Sequence, residues 1–474
     1  MILSPPILGG TDAARTPPQT RHDRVARTQQ LRPYMSIQHL SVTMASANAV
    51  HTFGVRENLT HMCGLINRTC YPSYPRLGLL VYERARLRNC HAAHILTHDR
   101  RTTRIKRIED AFRKVEMIAK DPRLLRIGVL GAGPIAQTAH FDAIRKARNA
   151  ELYAICDAAA DLLVQVAAIH RPAATYTDYD ALLADPQVEA VIIGVADQFH
   201  VPLARRAIAA GKHVLVEKPL GVSIAECMTL RDEVQARGRV LQVGNNKRFD
   251  PGIAFARQFI RDQLGEILSL KAWYYDSAYR YTMTDNLQPI PLTSANARRP
   301  AGDPKADRRR YYLLTHGSHL VDTAQFLGGE IVQVHARYVA RGGSACWFVA
   351  VDFADGSVGH LDLIIPIRGD FEEGFQVFGE GGSVVGRAYL PWYHKSSHVE
   401  CFSDADRQYH RVLGEDGYSY KRQIEGFAET VLHGVPQQGA TVDDGLAAMR
   451  VLVAIARSSE TGERVRCAAA TGAV

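Results

Sequence analysis

A glycine-rich turn is the first feature of this sequence whose residues could do chemistry. The segment Gly131–Ala136 follows the apolar run Ile127–Leu130 and precedes an apolar helical segment. Gly131 permits a tight turn, Gly133 lets the backbone approach a pyrophosphate, and Ala136 lets the helix pack closely on the strand. The unpaired N–H groups and the dipole of the helix would then face an anion. This setting predicts dinucleotide binding; a glycine turn that merely packs a helix is the alternative.

The acidic residue Asp157 follows the second predicted strand, at about the twenty-residue distance typical of dinucleotide sites. A carboxylate at this position accepts hydrogen bonds from the hydroxyl groups of the adenosine ribose. The same charge would repel a 2′-phosphate, and the segment Ala158-Ala159-Ala160 supplies no cation to bind one. The sequence therefore predicts NAD as the cofactor, with NADP less favoured.

A lysine ends another predicted strand, in the segment His213-Val214-Leu215-Val216-Glu217-Lys218-Pro219. The carboxyl edge of a parallel sheet is where ligands of open α/β folds bind. Pro219 restricts its own φ angle and biases Lys218 toward an extended conformation. Lys218 is therefore a candidate active-site residue, and a solvated lysine at a strand end is the alternative.

The elements that must position these residues alternate between strands and helices. Five short β-branched runs, separated by Ala-rich helical segments, predict a parallel sheet with right-handed crossovers; they are Arg126–Leu130, Glu151–Cys156, Ala190–Gly194, His213–Val216 and Val240–Gly244. Beyond Arg248 longer strands predict a mainly antiparallel sheet, at Ile267–Tyr275, Ile331–Ala340, Cys346–Phe353 and Ser357–Ile365, with helices at Pro251–Leu264, His316–Leu327, Lys421–His433 and Asp443–Ser459. The fold class is an α/β Rossmann domain followed by an α+β domain with a large open sheet.

A long polar stretch interrupts the second of these regions between Ser277 and Arg310. Loops of this length are uncommon in compact domains and usually form lids or binding segments, or are disordered. Its basic residues could favour an acidic substrate, and a solvated or subunit-contacting loop is the competing interpretation; they are Arg298, Arg299, Lys305, Arg308, Arg309 and Arg310.

The formal net charge of +8 is concentrated near the start of the chain. Residues 1–120 contain about 19 Lys and Arg against about 8 Asp and Glu, so the remainder is slightly acidic. We interpret this stretch as a basic leader that is disordered or precedes the true start at Met117; a basic arm for nucleic acid or an organelle address is the alternative. A single amphipathic helix is predicted at Arg107–Lys120. The domain prediction is then 124–246 for the dinucleotide, 247–466 for substrate and oligomerisation, and 467–474 as a tail.

Composition excludes several classes of protein. An apolar content of 46% and a charged content of 22% are typical of globular proteins, and no apolar run approaches the roughly 20 residues of a membrane span. The eight cysteines form no CxxC pair and no Cys/His metal spacing. We expect a cytoplasmic protein that binds neither nucleic acid nor membrane and holds no metal.

Several ordered motifs make the chain from about Leu124 to Val465 resemble the Gfo/Idh/MocA family, named for glucose–fructose oxidoreductase, inositol dehydrogenase and a rhizopine-catabolism protein. The motifs are Gly131–Ala136, Val191–His200, Glu217-Lys218-Pro219, Asn245-Asn246-Lys247-Arg248-Phe249, Gly317-Ser318-His319-Leu320-Val321-Asp322 and Thr441-Val442-Asp443-Asp444-Gly445.

The resemblance implies roles for particular residues. The family lysine falls on Lys218 and its helix histidine on His319, beside the reacting carbon of a sugar or polyol. The implied cofactor-binding residues are Gly131, Gly133, Pro134, Ile135, Ala136, Asp157, Gly194, Val195, Ala196, His200, Glu217, Lys218, Asn245 and Arg248. The implied substrate residues are Lys218, Arg248, Thr315, His316, His319 and Asp322. A histidine suits proton transfer, and a lysine cation can stabilise an alkoxide-like oxygen.

The sequence departs from the family pattern in two places. Thr315 stands where many members have an Asp, so His316 is a substitute candidate for proton transfer, and the proton acceptor among Lys218, His316 and His319 stays open. Val195-Ala196 replaces the usual Thr-Pro, although His200 is kept. A metal shared by His316, His319 and Asp322 is an alternative that the resemblance does not favour.

The function that we expect is NAD-dependent hydride transfer to or from a secondary alcohol of a sugar, sugar derivative or cyclitol, by a homodimer or homotetramer that pairs through the C-terminal sheet. One alternative is a glycosidase that uses tightly bound NAD for transient oxidation. The other is a non-catalytic regulator that binds dinucleotide, which would have no need of a proton-transfer group.

Overall fold

The protein is described from a computed structural model that covers residues 123–280, 284–298, 301, 306–414 and 416–474. The leader predicted at residues 1–120 and the helix predicted within it lie outside these residues.

Six parallel strands form the first sheet: β1 (Leu125–Leu130), β2 (Ala150–Cys156), β3 (Ala174–Tyr176), β4 (Ala190–Ile193), β5 (His213–Val216) and β6 (Leu241–Val243). Their spatial order is β3-β2-β1-β4-β5-β6, with every neighbouring pair parallel. This order reverses between β1 and β4, and the carboxyl ends beside such a switch point are where dinucleotides bind. The predicted Rossmann fold is confirmed, and β3 is a strand that the sequence interpretation missed.

Helices connect these strands, as crossovers between parallel strands require. They are α1 (Phe141–Lys146), which continues a π-helical turn at Ala136–His140, then α2 (Ala160–His170), α3 (Tyr179–Ala184), α4 (His200–Ala209) and α5 (Ile224–Arg237). The strands β1 and β4 are buried along nearly their whole length because helices cover both faces.

Nine strands form the second sheet: β7 (Ile267–Ser277), β8 (Ile331–Arg341), β9 (Ser344–Phe353), β10 (Val358–Ile367), β11 (Glu372–Gly379), β12 (Gly382–Ala388), β13 (His398–Ser403), β14 (Gln408–His410) and β15 (Val465–Arg466). Their order is β14-β13-β12-β11-β7-β10-β9-β8-β15. Only the central pair of this sheet, β7 and β10, is parallel. The predicted large, mostly antiparallel sheet is confirmed.

Five further helices belong to this part of the chain: α6 (Pro251–Gln263), α7 (Arg308–Tyr312), α8 (Ser318–Gly328), α9 (Ser419–His433) and α10 (Val442–Thr461). Local sequence sets two of their starts. Asp250 caps α6 by accepting hydrogen bonds from the next turn, and Thr441 and Asp444 form a reciprocal capping box at α10.

Three details differ from the sequence interpretation. The helix predicted to start at His316 begins earlier, because α7 and a π-helical turn at Leu313–Gly317 lead into α8. The strands β11 to β14 were not predicted. The residues interpreted as a tail pack on the fold, since Cys467 and Ala470 are buried and Ser223 forms a β-bridge with Ala473. Among the described helices, none combines the length and apolar character needed to cross a membrane.

Candidate active site

The glycine turn lies at the carboxyl end of β1 and is held by backbone contacts. Gly131 has φ +94°, and a Cβ there would lie 2.9 Å from the carbonyl oxygen of Gly194. Only glycine fits such a conformation and such an approach. The N–H of Gly131 donates to the carbonyl of Cys156 at 2.9 Å, which ties the turn to the end of β2.

The predicted ribose-binding carboxylate, Asp157, lies beside this turn. Its two oxygens accept hydrogen bonds from the backbone N–H groups of Ala132 and Ala159, both at 2.8 Å. Each oxygen keeps a further lone pair for a ribose hydroxyl. A side chain at Gly133 would meet no described atom within 4 Å, so the space above the turn can admit a pyrophosphate. The residues present therefore fit a dinucleotide.

Two predicted cofactor residues lie behind the sheet edge, where they brace it. The fully buried ring of His140 contacts Glu217 at 2.9 Å, joining the first helix to the end of β5. Burial alone would raise the pKa of Glu217, but the hydrogen bond to His140 and nearby positive charges hold it below its usual range. The ring nitrogens of His200 contact the carbonyls of Pro219 and Val195 at 2.7 and 3.0 Å. These contacts fix the position of Lys218 relative to the turn after β4.

The candidate lysine projects from the end of β5 toward the second domain. Lys218 is half-buried, and its Nζ donates to the backbone carbonyl of Thr315 at 3.2 Å. No carboxylate in the described residues forms an ion pair with it. The Nζ group can therefore also contact an oxygen of a bound molecule without first breaking an ion pair.

The helix histidine His319 lies close to this lysine, at the start of α8. Its ring is parallel to that of Tyr274 on β7, with the centroids 6.0 Å apart. Within the described ranges, neither ring nitrogen has a hydrogen-bond partner, and the side chain is half-buried. A ring in this state can accept a proton from a molecule in the pocket without first breaking a protein contact.

The charges around His319 favour its neutral form. Burial lowers the pKa of His319 well below its usual range, and the positive charges of Lys247 and Lys218 lower it further. His316 and Arg280 act in the same direction. The ring is consequently unprotonated at neutral pH, which is the form that a general base needs.

Both ring nitrogens of the neighbouring His316 contact polar groups of the protein. Its Nε2 lies 3.0 Å from the Oδ2 of Asp276, and its Nδ1 lies 2.8 Å from the hydroxyl of Thr315. That hydroxyl also donates to the carbonyl of Tyr311 at 2.6 Å, so the ring nitrogen, the hydroxyl and the carbonyl form one chain of contacts. Burial lowers the pKa of His316, although Asp276 opposes the shift. His316 cannot take a substrate proton without giving up one of these bonds.

A buried ion pair forms another wall of the pocket. Lys247, in the turn after β6, pairs with Glu373 at the start of β11. The Nζ of Lys247 also lies 4.7 Å from the centroid of the Tyr274 ring. Burial lowers the pKa of Lys247 and raises that of Glu373, and each partner opposes the shift of the other. The pair joins the turn after β6 to the second sheet.

Two residues predicted to bind cofactor or substrate form an ion pair with each other. Arg248 donates to both oxygens of Asp322, at 2.7 and 3.1 Å, and also contacts Asp444 at 3.2 Å. Asp322 is buried, so this network joins α8 to α10. That Arg248 and Asp322 line the substrate site stays a prediction; in the structure their side chains pair with each other. Asn245 is also buried.

The sequence interpretation missed Tyr274, Asp276, Lys247 and Glu373 as pocket residues. The signal available was slight: Tyr274 and Asp276 occupy alternate positions of one strand, and Lys247 stands beside Arg248 in a quoted motif. Two of the loop arginines bind elsewhere, because Arg309 contacts Ser459 and Arg310 contacts the carbonyl of Val474. The described residues contain no group of three metal-ligating side chains.

Both domains match those of a known protein family. Residues 125–245 match a family described as "Oxidoreductase family, NAD-binding Rossmann fold", and residues 312–467 match its "C-terminal alpha/beta domain". An uncharacterized oxidoreductase of Bacillus subtilis is 26% identical over 352 residues, which is 71% of this chain and 94% of that protein. Inositol 2-dehydrogenase of Salmonella typhimurium is 31% identical over 163 residues, only 32% of this chain and 47% of that protein.

Solved structures share the fold. A putative NADPH-dependent oxidoreductase of Desulfitobacterium hafniense has a TM-score of 0.62 at 20% identity, covering 73% of this chain and 99% of that one. A levoglucosan dehydrogenase in complex with NADH and levoglucosan has a TM-score of 0.59 at 21% identity, covering 73% and 100%. At these identities the similarity extends to the fold alone.

Proposed function

Because this chain belongs to the Gfo/Idh/MocA oxidoreductase family and carries its NAD-binding Rossmann domain, we propose that it transfers a hydride between NAD and a secondary alcohol of a sugar, sugar derivative or cyclitol. The observation that supports this most directly is the pair formed by Lys218 and His319. Among the described residues, Lys218 forms no ion pair with a carboxylate, and His319 has a neutral ring whose nitrogens have no hydrogen-bond partner.

In the proposed reaction each residue has a separate task. NAD, when bound, supplies the nicotinamide ring that accepts or donates the hydride. His319 takes the proton of the alcohol, since its neutral form persists at physiological pH. Lys218 stabilises the oxygen as negative charge develops on it. His316 is a positioning residue, because its ring joins Asp276 to Thr315, whose carbonyl in turn accepts a hydrogen bond from Lys218.

The substrate class rests on analogy and on the pocket. Relatives include proteins named inositol 2-dehydrogenase and levoglucosan dehydrogenase, which act on polyhydroxylated rings according to their names. The polar side chains around His319 suit several hydroxyl groups, since each can donate or accept a hydrogen bond; they are Lys218, Lys247, Tyr274, Asp276 and Arg280.

The test is a screen of sugars, anhydrosugars, inositols and uronates with NAD, in which NADH formation is followed at 340 nm. We expect stoichiometric NADH from at least one class. Turnover of a glycoside without net NADH would instead favour the glycosidase that retains its NAD. Binding of NAD with no turnover of any class would favour the regulator.

The proposal includes association through the second sheet. The face of that sheet turned away from the helices carries exposed apolar side chains, which are Phe348, Val358, Phe378 and Val385. Exposed apolar side chains on one face of a sheet suit a contact between subunits. Light scattering on the purified protein should give the mass of a dimer or tetramer. The cytoplasmic location stays a prediction from the sequence.

A further inference from the structure

The segment 284–298 belongs to the long loop after β7, yet it is attached to the first domain. The side-chain amide of Gln137 donates to the carbonyl of Leu292 at 3.0 Å and accepts from the N–H of Leu292 at 2.8 Å. The same amide donates to the carbonyl of Ala132 at 2.7 Å. Gln137 is buried, so these bonds are shielded from water. One side chain thus fastens the loop to the glycine turn.

A second anchor lies two residues further along the loop. The hydroxyl of Ser294 lies 2.8 and 2.7 Å from the two oxygens of Asp161, near the start of α2. The hydrogen bond from Ser294 lowers the pKa of Asp161. Ser294 is buried, and its oxygen also accepts the N–H of Asn296 at 2.9 Å. Charge-assisted bonds of this kind are stronger than neutral ones.

Apolar contacts support both anchors. Leu292 and Ala297 are half-buried and pack against the core of the first domain. By contrast Ile290, between the β7 side of the loop and the first anchor, is 91% exposed. The attachment is therefore specific to the stretch from Leu292 to Ala297.

Both anchors lie beside residues that are predicted to bind the dinucleotide. Ala132 lies between the glycines of the pyrophosphate turn, and Asp161 lies four residues after Asp157, the predicted partner of the adenosine ribose. Both are at the carboxyl edge of the first sheet. A segment bonded at both points spans the groove in which the pyrophosphate and the adenosine ribose of a dinucleotide lie.

We propose that residues 292–297 form the outer wall of the dinucleotide site and retain the cofactor there, through the anchors Leu292–Gln137 and Ser294–Asp161. The inference rests on the dinucleotide site described above. Release of the adenosine half then requires the segment to detach. A dehydrogenase that exchanges its NAD and a glycosidase that retains it could both have such a wall. The inference therefore holds for either of these functions.

The loop also connects this wall to the pocket. On one side it follows β7, whose Asp276 contacts His316, and on the other it enters α7, whose residue Tyr311 accepts a hydrogen bond from Thr315. In sequence, the segment therefore lies between two elements that contact the proposed catalytic groups.

The experiment measures how fast NADH leaves the enzyme. NADH bound to the full-length protein is mixed with excess NAD in a stopped-flow instrument, and the change in nicotinamide fluorescence gives the dissociation rate. Ser294→Ala removes one anchor and Gln137→Met removes the other while keeping the length of the side chain. Ile290→Ser is the matched control, because it changes the same loop at a position without an anchor.

We expect Ser294→Ala and Gln137→Met each to raise the dissociation rate about fivefold or more, with the control within about 1.5-fold of wild type. Association should not slow, since a looser wall opens the groove. Dissociation rates unchanged in both anchor variants would overturn the inference, even if their melting temperatures fall. Equal acceleration in the control would also overturn it, because the anchors would then have no special role. Failure of the wild type to bind NADH would instead contradict the dinucleotide site itself.

Discussion

The dinucleotide edge and the wall of the substrate pocket differ in how their polar groups are held. At the edge the contacts are made by backbone groups from a short stretch of chain, between Gly131 and Ala159. In the pocket they are made by side chains from separate elements, as in the Lys247–Glu373 pair, whose members lie 126 residues apart. Local backbone geometry tolerates many side chains, whereas a cluster of side chains depends on each of its members.

This difference predicts that substitutions in the pocket will impair turnover and spare cofactor binding. The largest effect is expected for Lys218→Ala and His319→Ala, each lowering kcat by about 10²-fold or more, because general acid–base assistance is worth that much. NAD affinity, measured by titration, should stay within a few-fold. The double variant should lose much less than the product of the two single effects if both groups act on one oxygen.

The control for these variants is His335→Ala, which removes a histidine from β8 whose ring contacts the carbonyl of Gly462. It should leave kcat unchanged. Normal turnover in both Lys218→Ala and His319→Ala would contradict the assignment and make His316 the next candidate.

Substitutions at the dinucleotide edge should have the opposite effect. They should alter the cofactor preference and leave the hydride-transfer step unchanged. Replacing Asp157 by Ser and Ala158 by Arg removes a repulsive charge and adds a partner for a 2′-phosphate. The ratio of kcat/KM for NADP to that for NAD should rise at least about tenfold. Ala158→Arg alone keeps the carboxylate and should give a smaller change. A wild-type enzyme that already prefers NADP would show that Asp157 has been misinterpreted.

A smaller effect is expected where a pocket residue acts through another. Asp276→Asn keeps the size of the side chain but removes the charge that faces His316, and should lower kcat/KM about fivefold with little change in NAD affinity. Asp362→Asn is the matched control, because Asp362 is equally buried but lies on the opposite face of the same sheet, beside Tyr275. Equal losses in the two variants would indicate a general structural defect.

The smallest effect is expected from pH. The pKa of His319 lies well below its usual range, so its basic form persists as the pH falls. Oxidation needs that form, and kcat/KM should therefore change by less than about threefold between pH 8 and pH 5.5, where an unperturbed histidine would be about nine-tenths protonated and the rate roughly tenfold lower. A steep acidic limb centred near pH 6.5 would show that the ring is not held neutral, or that another group is the base.

The same contrast explains what could be predicted from sequence. The strand, the glycine turn and Asp157 follow one another within about thirty residues, so their spacing alone indicates a Rossmann site. Lys218 and His319 could be placed because each stands in a recognisable motif. Asp276 and Glu373 could not, since each becomes part of the site only through pairing of strands distant in sequence, and Glu373 begins a strand that the pattern did not indicate.

Arg248 and Asp322 show the opposite difficulty, because a motif does not reveal which partner a charged side chain has. Both stand in motifs that resemble those of the family, and both have side chains suited to binding a ligand. Their charges are nevertheless consumed by each other, because the turn after β6 and the helix α8 meet in the fold. A charged residue in a motif can thus serve the packing of helices, and only the three-dimensional partner distinguishes the two uses.

The strand β7 has a consequence for how substrate range can change. It lies at the centre of its sheet, bonded to β10 on one side and β11 on the other. Its alternate residues Ala272, Tyr274 and Asp276 face the helices, and the last two reach the pocket. Backbone bonds on both edges hold these positions regardless of the side chain they carry. A library that varies Tyr274 and Asp276 should therefore sample new alcohols on an unchanged scaffold, which makes this strand a natural site for evolution of specificity.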